Sequence, residues 1–199
     1  MTKENIILAA LRLFLLRGYR NVSLIDVANE VGITKGGIYH YFGSKEDLLL
    51  TAIYQLFDRF GAKCDELFDS EKSCWEILNA VMVQRELDNH MENLLNIKSG
   101  DYRANRAGLA LEMMHNFPEL QERIDNSNIQ FRNVIEKMLL KAQQQGEIKE
   151  DQNAFALASM IVCILSGQNV LGKVMDSSDM RQQMLDSLWQ VIGCSASKK

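Results

Sequence analysis

The sequence predicts an all-α fold, on three observations. Its 199 residues contain one proline, Pro118, whereas a strand-rich chain of this length needs frequent turns. Apolar residues recur at helical spacing along most of the chain. The stretches between them are thin and carry capping residues or glycine.

The elements follow in order. Residues 4–17 place Ile6, Ile7, Ala10, Leu11, Leu13 and Phe14 on one helical stripe, and Gly18 stops it. Ser23-Leu-Ile-Asp26 is a capping box with Asp in place of Glu. It opens a helix of about two turns that buries Leu24, Val27, Ala28 and Val31 and ends at Gly32, where a left-handed residue is wanted. Thr34 can cap a short helix carrying Ile38, Tyr41 and Phe42. After Gly43, Ser44-Lys-Glu-Asp47 is a second capping-box variant, opening a long helix to about residue 68. Further helices are expected at 71–97, 102–115, 118–145, 151–175 and 178–193, with "SASKK" as a frayed tail. The chain thus reads as a three-helix head, residues 1–46, and a helical bundle, residues 47–199, for ligand binding and dimerisation.

Charge divides along the same line. Residues 1–60 carry seven Lys/Arg and six Asp/Glu, the remainder fifteen and twenty. A near-neutral head on an acidic body fits a chain in which the head alone meets an anion. Cys64, Cys74, Cys163 and Cys194 form no C-x-x-C pair, and no histidine stands at zinc-finger spacing. They read as reduced, mostly buried thiols of a cytosolic protein, with a redox switch as the alternative. Arg12 interrupts the N-terminal apolar run and no small-residue cleavage site follows, which argues against a signal peptide. The most apolar stretch, "AFALASMIVCIL" at 154–165, is too short to span a bilayer and predicts a buried helix. A cytoplasmic protein that does not engage a membrane is expected, with no metal, cofactor or catalytic residue. The body offers no paired carboxylates at useful spacing, no Ser-His-Asp set and no phosphate loop.

Ala28, Gly32 and the following Ile33 have the spacing of a helix-turn-helix: the alanine lets two helices cross closely, the glycine permits the turn, and Ile33 and Ile38 plug the junction. Plain bundles also use such hairpins, so the second helix decides. Gly36 and Gly37 each weaken a helix by about 1 kcal/mol relative to alanine, which a purely structural helix gains nothing from. Bare backbone N–H groups at a helix start can approach phosphates. Lys35 and Lys45 bracket the helix, and Tyr39 and His40 project opposite Ile38 and Phe42. His40 has no partner at metal-ligand spacing.

The segment "SLIDVANEVGITKGGIYHYFGSKEDLL", residues 23–49, closely resembles the DNA-binding segment of the tetracycline-repressor (TetR/AcrR) family. Ala28, Val31-Gly32-Ile33, Lys35-Gly36, Tyr39-His40-Tyr41-Phe42 and Ser44-Lys45-Glu46 carry the likeness, with Phe14 and Gly18 in the leading helix. The resemblance covers residues 4–50. It implies that Ser23 and Thr34 contact phosphate, that Lys35, Gly36, Tyr39, His40 and Tyr41 face the DNA, and that Lys45 anchors on phosphate. Gly37 departs from the pattern: many relatives carry Thr or Ser there, and the missing hydroxyl removes one contact at this position.

The body reads as a dimerisation and effector-binding unit. Residues 154–175 are apolar almost all round, and a helix buried on every side needs more neighbours than one small domain offers. With the stripe at 184–192 it would form a four-helix interface through Leu157, Ile161, Ile164, Leu165, Leu185, Leu188 and Trp189. Candidates for an apolar or amphipathic effector pocket are Met82, Arg85, Met113, Met114, Phe117, Phe131 and Phe155, each weighed against a place in the core. The expected function is a homodimeric repressor of a palindromic double-stranded operator, released by a small molecule. An activator, or a constitutive DNA-binding protein without effector, is the alternative.

Overall fold

A computed structural model describes residues 3–97, 101–171 and 177–194; the tail "SASKK" and the end of the helix expected at 151–175 lie outside the described residues. Ten helices are described: α1 Lys3–Arg17, α2 Leu24–Val31, α3 Lys35–Tyr41, α4 Lys45–Phe68, α5 Cys74–Met82, α6 Glu86–Leu94, α7 Asp101–Asn116, α8 Pro118–Gln144, α9 Ala154–Leu171 and α10 Ser178–Ile192.

One expected helix is two. Instead of a single helix over 71–97, α5 ends at Met82 and α6 begins at Glu86. Between them the N–H groups of Val83 and Gln84 both donate to the Asn79 carbonyl at 3.0 Å, and Arg85 takes a left-handed φ of 57°. No glycine or proline marks this break, so a pattern-based reading runs through it.

The chain divides into two compact units, Met1–Phe60 with Asp88–Ile124, and Gly61–Leu87 with Asp125–Lys199. The expected division at 46/47 separates head from body; the packing is cut differently, because α7 and the residues around it share the core of the head. That core gathers Phe14, Ala28, Ile38, Phe42 and Leu49 with Met91, Leu109, Met113 and Leu120. The caps of the head form as the sequence predicts. Ser23 and Asp26 close a reciprocal box, Gly32 adopts φ 74°, and the Ile33 N–H donates to the Ala28 carbonyl at 2.9 Å. At α4 the Asp47 N–H donates to Ser44 Oγ at 3.0 Å, but the Asp47 carboxylate reaches past Ser44 to the Gly43 N–H, also at 3.0 Å.

The second unit is fastened where α5, α10 and the α8–α9 link meet. Trp75 and Trp189 stand edge to face at 5.1 Å. Glu147 accepts the Cys74 N–H at 2.8 Å, placing a carboxylate at the positive end of α5. The Lys149 N–H donates to the Ile192 carbonyl at 2.8 Å and the Cys194 N–H to the Glu147 carbonyl at 3.0 Å, clamping the link to the end of α10.

Candidate nucleic-acid interface

The site is built on α2 and α3. Ala28 is fully buried at their crossing, and Ile38 and Phe42 anchor α3 in the core beneath. With these residues inward, the opposite face of α3 is left to solvent. Tyr39 is 49% and Tyr41 40% exposed, large apolar rings that no packing inside the chain accounts for. His40 is exposed and meets the Tyr41 ring edge-on at 5.5 Å. Lys35 and Gly36 are exposed at the start of the helix.

Thr34 caps α3: its Oγ1 accepts the Gly37 N–H at 3.1 Å. A hydroxyl that accepts in this way keeps its own proton for an outside acceptor such as a phosphate oxygen. The glycines are not required by the fold. A Cβ on Gly36 would stand 3.9 Å from Thr34 Oγ1, ordinary contact, and one on Gly37 would come to 3.4 Å of Oγ1 and 3.6 Å of Ile33 Cβ. Both residues are helical with no left-handed φ, so the backbone conformation does not demand glycine at either position.

Two expected phosphate contacts are otherwise engaged. Ser23 donates both its N–H, at 2.7 Å, and its O–H, at 2.6 Å, to the Asp26 carboxylate. Those bonds hold the Asp26 carboxyl below its ordinary range. Lys45 turns back onto the loop before α2, donating to the Tyr19 carbonyl with its ammonium 3.9 Å from the Tyr19 ring centroid. One cation that sequence reasoning passed over, Lys3, stands 5.2 Å from the centroid of the Phe42 ring at the end of α3; a lone lysine carries no signal of its own.

The residues expected around an effector do not gather in one unit. In the first, Met113 and Phe117 are core residues, Phe117 meeting Tyr19 edge-on at 5.2 Å, and Met114 is half-buried. In the second, Met82 and Arg85 are buried, Phe131 packs against Phe68 at 6.2 Å, and Phe155 is half exposed under the Arg132 guanidinium. A cavity of about 200 Å³ opens in the second unit beside Phe68, Val134 and Met138, rimmed by Asp65, Asp69, Lys137 and Lys141. None of the seven expected residues lines it.

The expected interface residues also divide. Leu157, Ile161, Leu185 and Trp189 are buried within the subunit itself, whereas Ile164, Leu165 and Leu188 are half-buried. Among the described residues, the large apolar side chains that α9 and α10 leave exposed are Phe155, Met160 and Val191. An amphipathic helix in a two-sided setting gives one face to its own core first, and sequence spacing does not say which. Among the described residues no group of three or more His, Cys, Asp or Glu is placed to hold a metal ion, and no helix is long and apolar enough to cross a membrane.

Comparison with known proteins agrees with this geometry. The profile described as bacterial regulatory proteins, tetR family, matches residues 6–52, and that of the tetracyclin repressor-like C-terminal domain matches residues 107–188. The fatty acid metabolism regulator protein of Bacillus subtilis is 26% identical over 157 residues, covering 78% of this chain and 75% of its own. The transcriptional regulator UidR of Escherichia coli is 23% identical over 168 residues, covering 83% and 79%. Two solved structures share the fold: NemR of E. coli in its reduced form, TM-score 0.78 at 18% identity over 97% of each chain, and a regulator from Saccharomonospora viridis in complex with choline, TM-score 0.74 at 22% identity over 96% of this chain and 97% of that one. The chain belongs to the tetR family of bacterial regulatory proteins, as a DNA-binding transcriptional regulator and not an enzyme.

Proposed function

We propose that the chain is a homodimeric repressor that reads a palindromic operator through α3 and is released from it by a small apolar or amphipathic molecule. The observation that carries the reading is the outer face of α3. Two exposed tyrosines, a histidine and a lysine surround glycines that the fold does not itself require. Thr34, Lys35 and the bare N–H groups at the start of α3 hold phosphate, and Tyr39, His40 and Tyr41 reach the groove edge. Ser23 shapes the start of α2 as its cap, and Lys45 reaches phosphate after leaving Tyr19.

Dimerisation supplies the second reading helix, about 34 Å from the first. Met160 and the half-buried Ile164, one turn apart on α9, lie on the face that the second copy covers. The effector reading draws support from structural neighbours, one solved with choline and one a gamma-butyrolactone receptor, so this fold accommodates small molecules. An effector favouring the arrangement with misplaced reading helices would shift the population off DNA.

Selection of bound fragments from the source genome by the purified protein tests the reading, followed by anisotropy on the best fragment. A palindromic site occupied by two chains, released by cell extract, is the expected result. Occupancy by one chain would overturn the dimer, and raised transcription from the bound promoter would overturn the repressor.

A further inference from the structure

The turn between α1 and α2 is held by a helix outside the expected head. Glu112, on α7, accepts the Tyr19 N–H at 3.2 Å through Oε2 and faces Arg20 Nε at 3.7 Å through Oε1. Asn116, one turn on, accepts from Arg20 at 3.3 Å and donates to the Glu112 carbonyl at 2.6 Å. The Tyr19 ring lies between Phe14, at 5.5 Å, and Phe117, at 5.2 Å. Its carbonyl takes the Val22 N–H at 3.3 Å and the Lys45 ammonium. Burial pushes Lys45 below its ordinary value, and the charges of Glu112 and Asp26 pull it back. An ammonium supplied with a carbonyl, a ring and a carboxylate field is already engaged, so a phosphate has to compete for it.

We propose that Glu112 is a positioning residue for the DNA-reading segment: it fixes the Tyr19 turn, and its charge holds the Lys45 ammonium back against that turn, so that the phosphate contact forms only when the Lys45–Tyr19 contact opens. The proposal rests on the reading of α2 and α3 as the DNA-binding segment. Because Glu112 is carried by α7, a displacement of α7 tightens or loosens the hold on Lys45, which gives that helix a direct influence on DNA affinity.

The test is anisotropy on the selected fragment at several salt concentrations, with wild type, Glu112→Gln, Lys45→Met and the double variant. Glutamine keeps an oxygen for the Tyr19 N–H and removes the charge. Glu112→Gln is expected to bind about fivefold tighter with the salt slope of the wild type, because the same phosphate contact forms in both and only the cost of freeing Lys45 differs. The gain disappears, and the slope falls by about 0.9, when Lys45 is Met. Tyr19→Leu, which removes the ring beneath the ammonium and leaves Glu112, is expected to tighten binding in the same Lys45-dependent way. A gain of equal size with and without Lys45 would mean that Glu112 merely repels DNA, and would overturn the proposal. So would wild-type affinity in both Glu112→Gln and Tyr19→Leu. Failure of the wild type to bind any fragment would instead overturn the underlying reading, before any variant is made.

Discussion

Asp26 takes both donors of Ser23, and Ser23 Oγ takes the Asp26 N–H at 3.1 Å in return. The pair is a closed cap, so Ser23→Ala is expected to act on stability. Loss of an N-cap hydroxyl lowers Tm by about 3 °C and leaves the salt slope of DNA binding unchanged. A slope reduced by about one unit would return Ser23 to the phosphate contacts.

The same cap sets a pH dependence. Hydrogen bonds from the Ser23 hydroxyl and N–H hold the Asp26 carboxyl below its ordinary 3.8. The Ser73 N–H and hydroxyl hold Glu76, in the capping box of α5, below its ordinary value. A carboxyl with a depressed folded value stabilises fully above its unfolded value and loses that contribution as pH falls through the folded one. The amide signals of Ser23 and Ser73, followed by NMR during acid titration, are therefore expected to shift with midpoints below the ordinary carboxyl values. Midpoints at or above them would mean that the boxes are open in solution.

Gly36→Ala is expected to separate stability from binding. The added methyl meets nothing closer than 3.9 Å, and alanine favours the helix by about 0.5–1 kcal/mol. Tm should rise or hold, while DNA affinity falls about tenfold as the methyl comes between backbone and phosphate. Unchanged affinity would remove the close backbone approach from the reading of α3.

The head was legible because its signals are local. Ser23 with Asp26, Thr34 with Gly37, and Gly32 at φ 74° are each decided within a few residues, and the structure forms all three. What was not legible depends on partners distant in sequence. Glu112 lies 93 residues from Tyr19, and nothing in either neighbourhood announces the contact. The break at Arg85 lacks a glycine, and a non-glycine left-handed residue is stabilised by surroundings that a pattern cannot see. The apolar run of α9 reads as a helix buried on every side; in the structure Leu157 and Ile161 are buried in the subunit's own core while Phe155 and Met160 are about half exposed, a division fixed by the placement of neighbouring elements, not by periodicity.

The cysteines should differ sharply in reactivity. Burial pushes the Cys64 and Cys74 thiols up to about 12, with Asp65 and Glu147 respectively adding to the rise. Against an ordinary 9.0, their thiolate fraction near neutral pH is about a thousandfold smaller. Cys163 is exposed. Iodoacetamide with peptide mapping is expected to label Cys163 first and to spare Cys64 and Cys74 until denaturant is added. The raised values stabilise the fold fully below pH 9 and cease to do so as pH climbs toward 12, so alkaline unfolding should bring both thiols into reach together. Early labelling of either in the native protein would contradict their burial.

The division of α9 and α10 predicts two kinds of variant. Leu185 is fully buried inside the subunit, so Leu185→Ala is expected to cost about 2–5 kcal/mol of subunit stability. Met160 is 55% exposed on the face assigned to the second copy. Met160→Glu places a charge where two apolar faces meet, so it is expected to leave the helical spectrum unchanged and convert dimers to monomers in sedimentation, with loss of operator binding as the consequence. The contrast identifies the interface. If Met160→Glu stays dimeric and binds DNA normally, the second copy covers another face. If Leu185→Ala dissociates the dimer without lowering subunit stability, the side chains that the single chain buries are the ones that meet across the interface, and the helices repack when two chains join.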